Sequence, residues 1–232
     1  VVVNVGYEAS DTFLRNVVFA KGLDDGTFDL AMRAACKYDL DPGAFVFAGG
    51  HILTLAEVLC ETRRTLDHLE KMGLFANVMV PNLQSYTLPD VLFEFGYYDL
   101  PEPYILLDLA EMMLTFSPDR SRPVTAFDWF IGGLVSDPPP RFTILENPRR
   151  KTSDSVTREI VNSLNELVRT LDGARFRRSA QLLRREVDYR WHQQQLELRD
   201  NRSWPKRLRD IGQVASGLID EYDARVSGTI TA

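Results

Sequence analysis

Short, mostly apolar runs separated by longer amphipathic stretches organise the first 135 residues of the chain. Val1–Val5 ends in Gly6, Ala44–Ala48 ends in Gly49-Gly50, and Ala76–Val80 ends in Pro81. Val124–Leu134 is a fourth run, with the least regular pattern. Strands covered by helices on both faces read as continuous apolar runs, because neither face meets water. Between the runs, helical spacing of apolar residues predicts helices near Asp11–Phe19, Phe28–Lys37, Leu55–Met72, Leu88–Phe95 and Tyr104–Phe116. The pattern predicts a series of β/α units around a parallel sheet.

Helix starts carry their own signals. Thr54-Leu-Ala-Glu57 has the spacing of a capping box, in which threonine and glutamate each satisfy an amide the helix leaves open. Thr87-Leu-Pro-Asp90 is expected to act similarly, with Asp90 in the first turn. Pro138-Pro-Pro140 is a semi-rigid break, and a boundary is expected within residues 118–150. Beyond it the pattern predicts polar, arginine-rich helices near Ser155–Leu171, Ala180–Arg199 and Lys206–Ala224.

Charge sharpens that division. The chain of 232 residues has a formal charge of −6. Residues 1–140 hold 9 Lys and Arg against 20 Asp and Glu, whereas residues 141–210 hold 17 against 10. The basic stretch is mostly arginine, whose planar fork suits phosphate; its plainer use is pairing with nearby acids. Composition is that of a globular protein, with no apolar run long enough for a membrane span and no secretory leader pattern, so a cytoplasmic setting is expected. Cys36 and Cys60 are the only cysteines, too few for a disulfide framework or a thiolate cluster, and their apolar neighbours predict buried structural thiols.

Candidate chemistry gathers after the apolar runs. Gly6-Tyr-Glu8-Ala-Ser10 follows the first, Gly49-Gly-His51 the second, and Pro81-Asn82-Leu-Gln84-Ser-Tyr-Thr87 the third. In parallel β/α folds ligands bind at the carboxyl ends of strands, so three successive polar ends predict one shared site. Each also has a local role open to it: Ser10 as a helix cap, the glycines as turn formers, Asn82 and Thr87 as turn and cap residues. Nucleotide-loop, zinc-protease and serine-hydrolase motifs are absent, and the three histidines, His51, His68 and His192, are widely separated, so no metal ligands are expected.

The order of these motifs resembles a known family. Val3-Asn-Val-Gly-Tyr-Glu8-Ala-Ser10-Asp, Ala20-Lys21-Gly22-Leu, Phe45-Val-Phe-Ala-Gly49-Gly with its capped helix, and Asn82-Leu-Gln84-Ser-Tyr-Thr87 before Gly96-Tyr-Tyr98 are similar, in order and spacing over residues 1–118, to the second half of a radical S-adenosylmethionine barrel. Within that superfamily the resemblance is to the archaeosine-synthase radical enzyme and its elongator-type and HemN-type relatives. It implies a partial TIM-like (β/α) barrel over residues 1–135, followed by a basic helical extension over 136–232. It further implies that the protein cleaves S-adenosylmethionine reductively with a [4Fe–4S] cluster and directs the 5′-deoxyadenosyl radical at a substrate, with a tRNA base as the implied substrate.

By the same resemblance, Glu8 and Ser10 lie at the cofactor, Glu8 on its ribose or methionine part, Lys21 on its carboxylate and the backbone around Phe47 along the adenosine. Asn82, Gln84 and Thr87 would line the cofactor or substrate side of the mouth. The chemistry agrees: a carboxylate accepts from both ribose hydroxyls, and an ammonium neutralises a carboxylate. The family's Cys-x3-Cys-x2-Cys loop has no counterpart here, and Gly49-Gly-His51 replaces a proline-containing turn. Because the chain begins Val-Val-Val without Met, the expectation is a piece of a longer enzyme whose cluster ligands and first barrel half lie outside it. Two alternatives remain: an interaction subunit whose half barrel is completed by a partner chain, and a small β/α enzyme using Glu8 and Lys21 as acid and base.

Overall fold

The computed structural model describes residues 2–116 and 141–226. The expected strand over Val124–Leu134 and the Pro138–Pro140 break lie outside the described residues. The three expected strands form as β1 (Val2–Glu8), β2 (Asp41–Phe47) and β3 (Phe75–Met79), paired in parallel in the order β1-β2-β3. Helices α1 (Asp25–Lys37) and α2 (Leu55–Lys71) make the two crossovers. The result is a mixed α/β fold built on a three-stranded parallel sheet, with no closed barrel among the described residues.

Local chemistry explains where these elements begin. Asp24 caps α1 by accepting from the Thr27 amide, and Thr54 and Glu57 form the expected capping box on α2. Leu55, Val58, Thr62, Thr65, Leu66 and Leu69 line one buried stripe of α2 against the sheet; each fully buried leucine is worth about 1.5–3 kcal/mol. Cys36 and Cys60 lie off the buried stripes of α1 and α2 and are exposed, contrary to the expected burial. Their apolar neighbours in sequence point to other faces of the helix, since adjacent residues are about 100° apart.

Residues 12–13 are helical, but the turn Leu14–Val18 within the expected first helix is π-helical. Short helix α3 (Leu88–Glu94) and the strongly apolar α4 (Ile105–Thr115) follow β3. An unexpected two-stranded antiparallel pair joins β4 (Asn82–Leu83) to β5 (Phe142–Thr143). Such short strands leave no periodic signal in sequence.

The C-terminal segment comprises α5 (Asp154–Thr170), α6 (Gly173–Leu183), α7 (Tyr189–Glu197) and α8 (Trp204–Val226). The single helix expected over Ala180–Arg199 is therefore two. The Tyr104 hydroxyl donates to the Leu183 carbonyl at 3.1 Å, and the Glu186 amide donates to the same carbonyl in a tighter turn. Asp188 meanwhile accepts from the Ser153 amide and hydroxyl. Tertiary partners thus take groups that a continuous helix would have used.

One buried cluster runs from Tyr7, Val46 and Val78 of the sheet through Leu107 and Ala110 of α4 to Ile160, Leu164, Phe176 and Leu183 of α5 and α6. A second, of Ala9, Leu14 and Ile52, is covered by Trp204, Leu208 and Ile211 of α8. The C-terminal helices therefore pack on the β/α part and reach the loops at the carboxyl ends of β1 and β2. No helix of the described residues is long and apolar enough to cross a membrane.

Candidate functional site

The loop after β1 is held shut by charge. The ladder to β2 slips between Gly6 and Glu8, and Glu8 adopts a left-handed backbone with φ 66°. Such a conformation is costly for a residue with a side chain and marks a place where the surroundings dictate the backbone. The Glu8 carboxylate is buried, and its Oε1 lies 2.7 Å from Lys21 Nζ, so these two expected site residues do meet. Lys21 is partly exposed, which leaves the pair reachable from solvent.

The same stretch of chain holds a residue that no pattern in the sequence marks. Arg15 is fully buried. It donates to the Ala9 carbonyl at 3.0 Å and the Leu23 carbonyl at 2.8 Å, and pairs with Asp25 at 2.8 Å. Its guanidinium lies over the Tyr7 ring, whose hydroxyl donates to the same Asp25 oxygen. Burial, reinforced by that hydrogen bond to Asp25, pushes the Tyr7 hydroxyl well above its ordinary pKa.

Ser10 does not act as a helix cap. Its hydroxyl donates to Glu61 Oε1 on α2 at 2.8 Å, while Asp11 accepts from the Phe13 and Leu14 amides. Buried Glu61 also accepts from the Asp11 amide at 2.7 Å, tying the β1 loop to α2. Nothing in the sequence pattern separates Glu61 from a surface glutamate, because its partners are about 50 residues away.

After β3 two hydrogen bonds link the expected polar residues to one another. Gln84 donates to Asn82 at 3.2 Å, and the Thr87 hydroxyl donates to the Gln84 carbonyl at 2.7 Å. Thr87 stands at the start of α3 without capping it through its side chain. Asp90 is buried, paired with Arg141 at 3.0 Å and hydrogen-bonded by Tyr222 of α8. The expected cap is thus replaced by an anchor between α3, the residue before β5 and α8, and burial followed by the bond to Asp90 pushes Tyr222 up to about 12.

The open space lies elsewhere on the same end of the sheet. A cavity of about 260 Å³ is bounded by Ala48-Gly49-Gly50-His51 after β2, Pro81 after β3, Tyr97–Asp99, Ile105 of α4, and Gln195 and Leu198 at α7. Gly50 has φ 141°, a conformation that side chains rarely adopt, so the glycine permits this wall. Most lining groups are apolar, with Thr54, Asp99 and Gln195 adding polar ones. His51 Nε2 is buried without a hydrogen-bond partner among the described residues. Desolvation pushes His51 down to about 4, so the ring is neutral at physiological pH.

Phe47 does not line this cavity; its ring packs edge-on against Phe19 at 5.3 Å. Nor do Glu8, Ser10, Lys21, Asn82, Gln84 or Thr87 line it. The structure therefore resolves the expected shared site into an ion-paired mouth at β1, a self-bonded loop after β3 and a cavity between β2, β3 and the C-terminal helices. Trp204 and Arg207 of α8 hold the helix beside the cavity: Arg207 pairs with Glu57 at 2.6 Å and donates to the Ile52 carbonyl at 3.0 Å. Burial alone would raise Glu57, but the bonds from Arg207 and the Thr54 amide outweigh it and hold its pKa low.

Comparison with family models, curated proteins and solved structures returns no match. Among the described residues no group of His, Cys, Asp and Glu is arranged to hold a metal ion, and Cys36 and Cys60 stand on outward helix faces. These residues do not fit a [4Fe–4S] cluster, whose ligands would have to come from elsewhere.

Proposed function

We propose that the chain forms the cofactor-holding part of a radical S-adenosylmethionine enzyme, a half (β/α) barrel whose remaining strands and cluster ligands come from outside the described residues. The observation that carries this reading is the Glu8–Lys21 pair at the carboxyl end of β1, the first of three sequential parallel strands. Glu8 is buried in a left-handed backbone, a strain consistent with a functional role.

The pair fits the ligand in a specific way. The methionyl end of S-adenosylmethionine carries an ammonium and a carboxylate, so it can exchange into an existing ion pair, ammonium to Glu8 and carboxylate to Lys21, without stranding a charge. Lys21 is accessible enough to move, and Arg15 fixes the backbone beneath. The outer edges of β1 and β3 have no strand partner among the described residues, which supports a complement of further strands in the complete protein or in a partner chain.

Titration calorimetry with S-adenosylmethionine tests the reading. Saturable binding is expected, weakened at least tenfold by Glu8→Gln. Absence of binding to the wild-type protein, or equal binding by the variant, would overturn it.

A further inference from the structure

Two sets of basic residues in the C-terminal segment are held in contrasting ways. Arg141, Arg184, Arg202 and Arg207 are committed to carboxylates: Asp90 and Glu94, Asp108 and Glu111, Asp200 and Asp210, and Glu57 respectively. Arg149, Lys151 and Arg190 instead rest on aromatic rings. The Arg149 guanidinium lies 4.1 Å over Phe93, and the Lys151 ammonium and Arg190 guanidinium lie 4.8 and 4.4 Å from the same Trp191 ring.

All three are exposed, and none makes a salt bridge among the described residues. The acids around them are turned to other donors. Glu102 accepts from the amides of Lys151 and Thr152 and from the Thr152 hydroxyl. Asp188 accepts from Ser153, and although it feels the charge of Arg190 it forms no ion pair with it. A cation stacked on a ring is held in place while its N–H edge stays open, so it can meet an anion with less loss of side-chain freedom.

None of the three lines the cavity, but each is linked to its wall. Trp191 and Gln195 are one turn apart on α7, about 6 Å, and share a face. Gln195 lines the cavity and accepts from the Glu102 amide, while the Glu102 carboxylate holds the Lys151 backbone. Arg149 donates to the Glu94 carbonyl, on the strand of chain that leads into Tyr97–Asp99 of the cavity wall. Apolar walls around a few polar groups match a flat heterocycle with apolar faces and a polar edge, for which Thr54, Asp99 and Gln195 supply polar groups in the lining.

We infer that the cavity and its rim bind a nucleotide, with the heterocycle between Gly49-Gly50 and Tyr97-Tyr98 and the phosphate on Arg149, Lys151 and Arg190. The assignment rests on reading the strand ends as the ligand face, and places this ligand beside the Glu8–Lys21 corner rather than in it. The shared chemistry is a phosphate ester of a flat base, carried by a free mononucleotide or by one residue of a nucleic acid strand.

Calorimetry with adenosine, adenosine 5′-monophosphate, inorganic phosphate and a short single-stranded RNA tests it. The monophosphate should bind at least tenfold more tightly than adenosine. The triple variant Arg149→Gln, Lys151→Gln, Arg190→Gln should lose that advantage while its melting temperature and its affinity for adenosine stay unchanged. Arg169→Gln, which removes an arginine already paired with Glu166, should leave nucleotide affinity within twofold. RNA binding at least tenfold tighter than the monophosphate assigns a strand, and equal or weaker binding assigns a free nucleotide. Equal affinity for adenosine and its monophosphate, a triple variant that keeps the phosphate advantage, or inorganic phosphate binding as tightly as the nucleotide would overturn the inference. Nucleotide binding without S-adenosylmethionine binding would remove only the reading of Glu8 and Lys21.

Discussion

The mouth of β1 and the mouth of β2 and β3 lie on one end of one sheet, yet they are built in opposite ways. At β1 polar groups meet in close pairs: Glu8 with Lys21, Ser10 with Glu61, Arg15 with Asp25 and two carbonyls. At β2 and β3 glycines and rings enclose about 260 Å³, and the buried His51 Nε2 is left without a partner. The first arrangement fixes geometry, because its buried members, Glu8, Arg15 and Glu61, would lose their partners in a dry place. The second leaves room that the chain's own packing does not fill. A rich cluster of polar residues is thus better evidence of an anchored backbone than of vacant chemistry, and the sparer cavity is the better place to expect a second ligand.

Breaking the closed mouth should have the largest effect. Arg15→Met leaves the Ala9 and Leu23 carbonyls without their donor, while half-exposed Asp25 keeps its bond from Tyr7, and a cost of about 2–4 kcal/mol is expected by urea unfolding. A loss below 1 kcal/mol would show that the pairs at β1 are not holding the loop.

The open mouth should respond to pH instead. His51 has a folded pKa of about 4 against 6.5 for the free side chain. Below pH 6.5 the unfolded chain gains a proton that the folded ring refuses, so this contribution is fully present above pH 6.5 and is lost progressively towards pH 4. By pH 5 the loss is about 2 kcal/mol. Unfolding curves at both pH values should show this fall in the wild type and not in His51→Phe; identical pH slopes in the two proteins would mean that His51 is not shielded.

Smallest is the joint between the two mouths, the cap of α2. Thr54→Ala removes the acceptor of the Glu57 amide and should cost about 1 kcal/mol, read as a lower unfolding midpoint. Glu57 stays held by Arg207, so α8 should keep its seat against α2.

Much of the β/α framework was legible because it is local. Continuous apolar runs marked β1, β2 and β3, amphipathic spacing marked α2, and Thr54 and Glu57 announced its start. Glu8 and Lys21 were legible as a pair of interest, and they meet. What escaped depended on distant partners. Arg15, Glu61, Asp90 and Arg207 look like ordinary charged helix residues, and only contacts with other segments bury them. The exposed cysteines and the break between α6 and α7 escaped for the same reason: the face a residue turns to the core is decided by what packs there.

The sequence by itself determined the alternation of strands and helices, the polar character of each strand end and the excess of arginine after residue 140, since periodicity, capping and charge act over a few residues. The tertiary structure alone decided which of those polar groups were consumed. Folding α7 and α8 back against the strand ends brought Gln195 to the cavity, Arg207 to Glu57 and Tyr222 to Asp90, while it left Arg149, Lys151 and Arg190 on aromatic faces. The physical reason is that a charge in a chain has no assigned partner until burial removes water as the alternative, and burial is a property of the assembled fold.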